Sequence, residues 1–360
     1  MERVMTNTLL TQMVDCLTDI KVVDLTRNLP GPFATRLLAD LGAEIIKIEP
    51  LQGDPARAFG DIFDSLNHGK QCIKVDFRSP EGIELIKQHL KDADVLLDSF
   101  RPGVLDAIGL GSDILQALNP KLVMVSITGY GFADGERITH DWSQKAGHDI
   151  NFMAMSGVLD QLKTAEGGQA MPNVQFADLA GGSDTAVIGL LAAVLSAKST
   201  GKGRHINVSM THSLYHHLVM PKATGKLIEQ MTGETPKPQH DFLGGVLPCY
   251  RLYETSDNRY MAVGSLELKF WQELCDVLQL PELKEAHWQL GVLPNMPASI
   301  EAIKTVTATF ASQPLAHWQQ VFDDTDVCVT PVLTLAEAEA HPLFAHQDEY
   351  KATAGWQVVG

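Results

Sequence analysis

Along the first half of the chain, short β-branched runs alternate with stretches whose apolar residues recur every three to four positions. Lys21-Val22-Val23-Asp24-Leu25 reads as a strand. A turn at Asn28-Leu29-Pro30-Gly31-Pro32 leads into Phe33, Leu37, Leu38 and Leu41, which share one helical face, with Pro32 at its start and Gly42 at its stop. Glu44-Ile45-Ile46-Lys47-Ile48 is a second strand. The same reading gives strands over 71–75, 94–97, 122–127 and 205–209, and helices over 80–90, 111–118 and 183–198. Such alternation predicts an α/β protein: a Rossmann-like large domain with a mostly parallel sheet and helices on both faces. Ligands bind such sheets at the carboxyl ends of the strands. The loops 28–31, 99–103 and 126–131 are therefore expected to share one rim. No G-x-G-x-x-G follows the first strand, so the dinucleotide fingerprint is absent.

The pattern changes after His217. Residues 221–248 are rich in proline, glycine and threonine, with little periodicity, and are expected to form a linker. Beyond them, 249–254 and 259–263 read as a hairpin, and 267–278, 300–311 and 314–322 as helices. The expected division is a large domain over 1–220, the linker 221–248, a smaller α+β domain over 249–325, and a segment 326–360 that returns to the large domain. Residues 1–18 form an extension in which Leu9, Leu10, Met13, Val14 and Leu17 have helical spacing.

Charge narrows the function classes. The formal net charge is −16, which disfavours nucleic acid and anionic membrane as partners. A phosphorylated ligand then needs a local basic set, for which Lys47, Arg57, Lys70 and Arg101 are the candidates near the rim. The five cysteines are scattered, without a C-x-x-C pair, and each is expected to be a small buried hydrophobe in a reducing compartment. No run of about 18 apolar residues is free of charge. The start lacks a secretory pattern and the end is not a peroxisomal address, so cytoplasm is the expected location.

Three residues stand out for chemistry. His148, in Ala146-Gly147-His148-Asp149-Ile150-Asn151-Phe152, is of the residue type best suited to general acid or base work, and precedes a predicted helix start, where free N–H groups can receive an enolate oxygen. Read alone, it is equally a satisfied histidine at a helix start. Asp178 is either an acid–base group or an N-cap. Glu267 sits where a carboxylate also favours the positive end of a helix. His212, His216 and His217 have helical spacing but no acidic ligand beside them, so no metal site is expected.

Several strings resemble the family III CoA-transferase superfamily, the carnitine-dehydratase/bile-acid-inducible group, and within it the alpha-methylacyl-CoA racemase branch. They include Pro30-Gly31-Pro32-Phe33-Ala34, His68-Gly69-Lys70, Phe100-Arg101-Pro102-Gly103-Val104, Ala177-Asp178 and Thr330-Pro331-Val332-Leu333, with Gly147-His148-Asp149-Ile150-Asn151 and Val263-Gly264-Ser265-Leu266-Glu267 specific to the racemase branch. The resemblance implies an interlocked homodimer acting on an acyl-CoA thioester, with no cofactor beyond the coenzyme A of the substrate. It implies His148, paired with Glu267, as one acid–base arm and Asp178 as the other. Arg101 and Val75-Asp76-Phe77-Arg78 resemble coenzyme A contacts, and Gly147, Asp149, Ile150, Asn151 and Phe152 flank the same site. Glu49-Pro50-Leu51 departs from the family's Arg-Pro-Gly ending, with Arg57 as the expected substitute. Phe152, Met153, Met155 and Leu159 are candidates to line the acyl chain. The competing expectations are a CoA-transferase with Asp178 as nucleophile, and a non-catalytic acyl-CoA-binding protein.

Overall fold

The computed structural model describes residues 15–132, 142–163, 167–233, 237–238 and 242–344. The predicted N-terminal helix and the chain beyond Phe344 lie outside them. Two units emerge. The first runs to Leu159 and resumes over Met171–His217; the second takes Asp160–Ala170 and continues from Leu218.

In the first unit, strands β1 (Lys21–Asp24), β2 (Glu44–Pro50), β3 (Gln71–Val75), β4 (Val95–Asp98), β5 (Val123–Thr128) and β6 (His205–Ser209) form one sheet in the order β3-β2-β1-β4-β5-β6. Every pairing is parallel. Between the strands run α1 (Pro30–Asp40), α2 (Asp61–Asn67), α3 (Pro80–Lys91), α4 (Val104–Ala107), α5 (Ser112–Leu118), α6 (Asp149–Ser156) and α7 (Thr185–Thr200). The β1, β4 and β5 residues Val22, Val23, Val95, Leu96, Leu97, Val123 and Val125 are fully buried, as expected of central strands covered on both faces. The strand order reverses between β1 and β4, and a crevice at the carboxyl ends is the expected ligand position there.

The turn leaving β1 rests on a buried ionic network. Asp24 accepts hydrogen bonds from the Thr26 N–H (2.8 Å) and the Thr35 hydroxyl (2.6 Å), with Lys70 Nζ at 3.5 Å. Lys47 Nζ donates to the Thr26 carbonyl (2.7 Å) and pairs with Asp54 (3.0 Å). Asp54 in turn accepts from the Asn28 N–H (3.1 Å), fixing Asn28 at φ 65°. Glu49 holds Arg57 through two hydrogen bonds (2.7 and 2.6 Å), with the guanidinium 3.8 Å from the Phe63 ring centre. Burial works against the Asp24 charge, but the Lys47 and Lys70 ammonium groups prevail and hold its carboxyl below the usual range. Lys70 is pulled down to about 8, chiefly by burial. Gly31 is required at the turn, because a Cβ there would lie 2.2 Å from Thr26 Cβ.

These contacts correct the expected phosphate set. Lys47 is fully buried, and Lys70 spends its ammonium on Asp24, Asn67 and the Pro32 carbonyl. Arg57 is held by Glu49 in a bidentate pair, with its side chain still 38% exposed. Lys47 and Lys70 are structural.

Ala177–Asp184 is wound as a π-helix, shown by the Gly181 N–H bonding to the Phe176 carbonyl, and runs directly into α7. Ala177–Thr200 together is long and apolar enough, by length and composition, to cross a membrane. Within the unit, α7 buries Ala186, Leu190, Ala193 and Val194 and packs on β5 and α1.

The second unit contains α9 (Val219–Thr232), the antiparallel strands β7 (Tyr250–Glu254), β8 (Tyr260–Gly264) and β9 (Val329–Pro331), and the helices α10 (Leu268–Val277), α11 (Pro297–Phe310), α12 (Leu315–Phe322) and α13 (Leu335–Glu339). It is preceded by α8 (Met210–His217) of the first unit. Its own core centres on Trp271, Tyr253 and Phe310, the last two stacked at 5.3 Å. Two expectations change here. Much of the expected linker is helix α9. The segment from 326 supplies β9 to the small sheet, because Val263 and Val329 pair across β8 and β9. Cys249 and Cys275 are buried as expected, whereas Cys16, Cys72 and Cys328 are exposed.

Replacing Lys70 with Met leaves Asp24 short of one cation in a dry site. The expected loss is about 3–5 kcal/mol of folding free energy, read by urea unfolding at pH 7. A loss under about 1 kcal/mol would show that the network is not what holds this turn.

Candidate active site

A cavity of about 310 Å³ opens at the carboxyl ends of β1, β4 and β5. Arg27 and Asn28 reach it from β1, Ser99 to Pro102 from β4, and Thr128 to Tyr130 from β5. His148 and Asp178 both line it, with Gly147 and Phe152. The three loops expected on one rim do meet there.

Local packing explains how His148 and Asp178 arrive together. Extended backbone at His148 (φ −127°) ends in α6, and the His148 N–H donates to Asn151 Oδ1 (3.0 Å). Phe152 is buried beneath the segment, and a Cβ on Gly129 or Gly147 would come within 2.2 or 2.6 Å of its ring. Tyr130 meets the same ring edge-on at 5.2 Å. Asp149 then ties α6 to the π-helix: its Oδ1 accepts from the backbone N–H of Ala177 (2.7 Å) and of Asp178 (3.0 Å). Ser183 fastens the other side: its hydroxyl donates to the Pro30 carbonyl (2.6 Å) and lies 3.0 Å from the Asp178 carbonyl, which shares the same proton. Asp178 is thus not an N-cap. Its half-buried carboxyl is raised to about 7, mainly by burial and then by the Asp149 carboxylate. A carboxyl poised near neutrality can both take and return a proton.

Of the other expected contacts, Arg101 lines the cavity and is exposed. Val75 is buried in β3, and Asp76 accepts from the Arg78 N–H (2.9 Å) in the turn that follows. Phe77 reaches the rim by an edge contact with Phe100 at 6.2 Å. Asp149 and Asn151 spend their side chains on positioning, and Ile150 is exposed. Met153 is core, and Met155 is half exposed; of the acyl-chain candidates, Phe152 lines the cavity. Arg27 and Lys145 were not singled out by sequence. With Arg101 they put three cations in the lining of one cavity, which supplies the local positive charge the composition lacked. Their signal was position: Arg27 follows β1, and Lys145 lies three residues before His148.

Glu267 belongs to the second unit. It is exposed, precedes α10, and its side chain makes no capping hydrogen bond. Its neighbours are braced: Trp288 Nε1 donates to the Leu266 carbonyl (2.8 Å), and the Leu268 N–H donates to Gln289 Oε1 (2.8 Å).

A reversing parallel sheet with a carboxyl and an imidazole in its switch-point crevice defines an enzyme of Rossmann-type architecture. The chain belongs to CoA-transferase family III, whose model matches residues 17–354. It is 34% identical to alpha-methylacyl-CoA racemase from Homo sapiens over 328 residues, covering 90% of this chain and 80% of that one. It is also 31% identical to succinyl-CoA:glutarate CoA-transferase from Mus musculus, over 92% of this chain and 75% of the relative. The crystal structure of a CaiB/BaiF family protein from Brucella suis superposes with a TM-score of 0.73 at 28% identity, covering 92% of this chain and 87% of that one.

The electrostatic account of Asp178 makes two predictions. Asp149→Asn keeps an acceptor for both N–H groups but removes the charge, so the Asp178 ionisation seen in a pH–rate profile should fall by about one pH unit; an unmoved profile would exclude that coupling. Because the folded pKa of Asp178 lies above its unfolded value, its ionisation draws stability down as pH rises from about 4 to 7. Asp178→Asn should therefore be more stable than wild type at pH 8 by on the order of 1–2 kcal/mol, partial exposure keeping the effect modest, with little difference at pH 4. Denaturant unfolding at both pH values reads this.

Proposed function

We propose that the protein is a racemase of 2-methylacyl-CoA thioesters, epimerising C2 by two-base proton transfer through an enolate. The observation that carries this reading is the convergence of His148 and Asp178 on one cavity, with Asp178 raised to about 7. Deprotonation of the α carbon by one group and reprotonation by the other inverts the centre. Each positioned acid or base contributes roughly 10²–10⁴-fold. The enolate oxygen is stabilised at the start of α6. The His148 N–H is committed to Asn151, so the donors are the N–H groups of Asp149 and Ile150. Arg27, Arg101 and Lys145 meet the phosphates of coenzyme A. Glu267 serves as the carboxylate partner of His148 within an interlocked homodimer.

The transferase reading asks a different thing of Asp178. A nucleophilic carboxylate attacks the thioester as the anion, and a carboxyl raised to about 7 is partly protonated at neutral pH. The same property suits a proton donor and acceptor. The similarity to succinyl-CoA:glutarate CoA-transferase keeps the transferase as the alternative.

The deciding measurement is deuterium incorporation at C2 of (R)- and (S)-2-methylacyl-CoA in heavy water. Wild type is expected to exchange and racemise both. His148→Ala and Asp178→Ala are each expected to lose at least about 10²-fold in racemisation. Asp178-dependent passage of coenzyme A to an added carboxylic acid, without C2 exchange, would overturn the racemase and establish the transferase.

A further inference from the structure

Behind the rim of the active-site cavity a line of polar side chains crosses three adjacent strands. Asp98 ends β4 and is 2% exposed. Its Oδ1 accepts from the Phe100 N–H (3.0 Å), and its Oδ2 accepts from the Ser126 hydroxyl of β5 (2.6 Å). Ser126 Oγ lies 3.0 Å from Nε2 of His205, on the edge strand β6. Phe100 and Arg101, which follow Asp98, line the active-site cavity. They also line a second cavity of about 260 Å³ on the far side of their loop, with Asp98, Ser126 and His205. One end of the line thus carries the rim of the site; the other is the imidazole of His205, a residue exposed as a whole whose ring is partly covered by Ser126 and Phe132.

Proton counting fixes the state of this line. Ser126 has a single hydroxyl proton. When that proton points to an ionised Asp98, Ser126 can only accept from His205, so Nε2 carries a hydrogen. When Asp98 is protonated, it donates to Ser126, Ser126 donates to His205, and Nε2 is bare. With a neutral imidazole, passing from the first arrangement to the second takes up one proton from solvent: Asp98 becomes protonated, the serine hydroxyl turns to the imidazole, and the ring hydrogen moves from Nε2 to Nδ1, so the balance between the two depends on pH. Only the first gives the Phe100 N–H a charged acceptor, the stronger kind of hydrogen bond.

We propose that Asp98, Ser126 and His205 are positioning residues for the acyl-CoA site: the line holds the Phe100–Arg101 rim when Asp98 is ionised and loosens it when Asp98 takes a proton. The inference rests on reading the adjoining cavity as an acyl-CoA site. Burial raises Asp98 to about 6, against the hydrogen bonds from Ser126 and Phe100, so the change falls near neutral pH. His205 is lowered by burial, opposed by Asp106 of α4. Among the described residues, the other charged side chain lining this cavity is Arg101. Phe132 packs edge-on against the imidazole at 5.7 Å.

The test is the dissociation constant of free coenzyme A by calorimetry from pH 5 to 8, for wild type, Ser126→Ala, His205→Leu and His205→Gln. The phosphate of coenzyme A titrates in the same range, so the difference between variants carries the result. Ser126→Ala and His205→Leu are expected to bind about five- to tenfold more weakly at pH 7.5, the loss of one hydrogen bond. Their weakening with falling pH should begin about one pH unit higher than in wild type. His205→Gln, whose amide still donates to Ser126, should follow wild type. Variants that match wild type at every pH would overturn the proposal. So would a His205→Gln variant as weak as His205→Leu with the same fall in Tm, which marks a structural role. Nitrogen NMR of His205 reads the line without ligand: a hydrogen on Nε2 at pH 7.5 is expected, and Nδ1–H with bare Nε2 would overturn it. Failure of wild type to bind coenzyme A at all would overturn the acyl-CoA reading, and the His205 tautomer would still judge the line by itself.

Discussion

The pairing of three carboxylates with three cations beneath the β1 turn is the constraint from which the first unit's site follows. Asp24, Glu49 and Asp54 are almost wholly removed from water. Isolated, such charges would be intolerable; balanced by Lys47, Arg57 and Lys70 and each holding backbone N–H groups, they fix the loop in one place. A purely apolar contact would hold the loop less specifically, because dispersion has no direction. The network dictates where Asn28 and Arg27 stand, and the Pro30 carbonyl then receives Ser183 from the helix that carries Asp178. Position is passed from the ionic core to the Asp178 carboxyl through backbone atoms.

A second chain of dependence runs through Asp149. It does two things with one side chain: it anchors the Ala177 and Asp178 backbone, and its charge discourages Asp178 from ionising. Geometry and acidity are therefore coupled at this site. A substitution that altered one without the other would separate two effects that ordinarily travel together.

Much of this was legible from the chain. The alternation of β-branched runs and helical faces placed all six parallel strands to within a residue or two, because central strands buried on both faces leave little room for another pattern. Gly147-His148 and Asp178 were legible as chemistry, and they share a cavity. What was not legible is how charges would be spent. Lys47 and Lys70 look like surface lysines until the fold brings Asp24 and Asp54 to them from distant positions. Arg27 and Lys145 look ordinary until strand order puts both beside the crevice. Helix α9 was missed because Pro221 and Gly225 mask a helical segment, an override of propensity by context. The return of β9 to the small sheet depends on pairing, which local sequence does not encode.

The π-helical winding of Ala177–Asp184 carries a consequence for length rather than for chemistry. A π turn accommodates one residue more than an α turn along the same stretch. Deleting a single residue there would let the backbone relax to ordinary α-helix and continue smoothly into α7. The buried stripe of α7 would keep its place on the sheet, and only the residues within the π segment, Asp178 among them, would be redistributed about the helix axis. Asp178 would then point elsewhere, on a helix that was, if anything, more regular. The segment is thus sensitive to a change in count, and a shortened version would fold without setting Asp178 in the cavity as it is here.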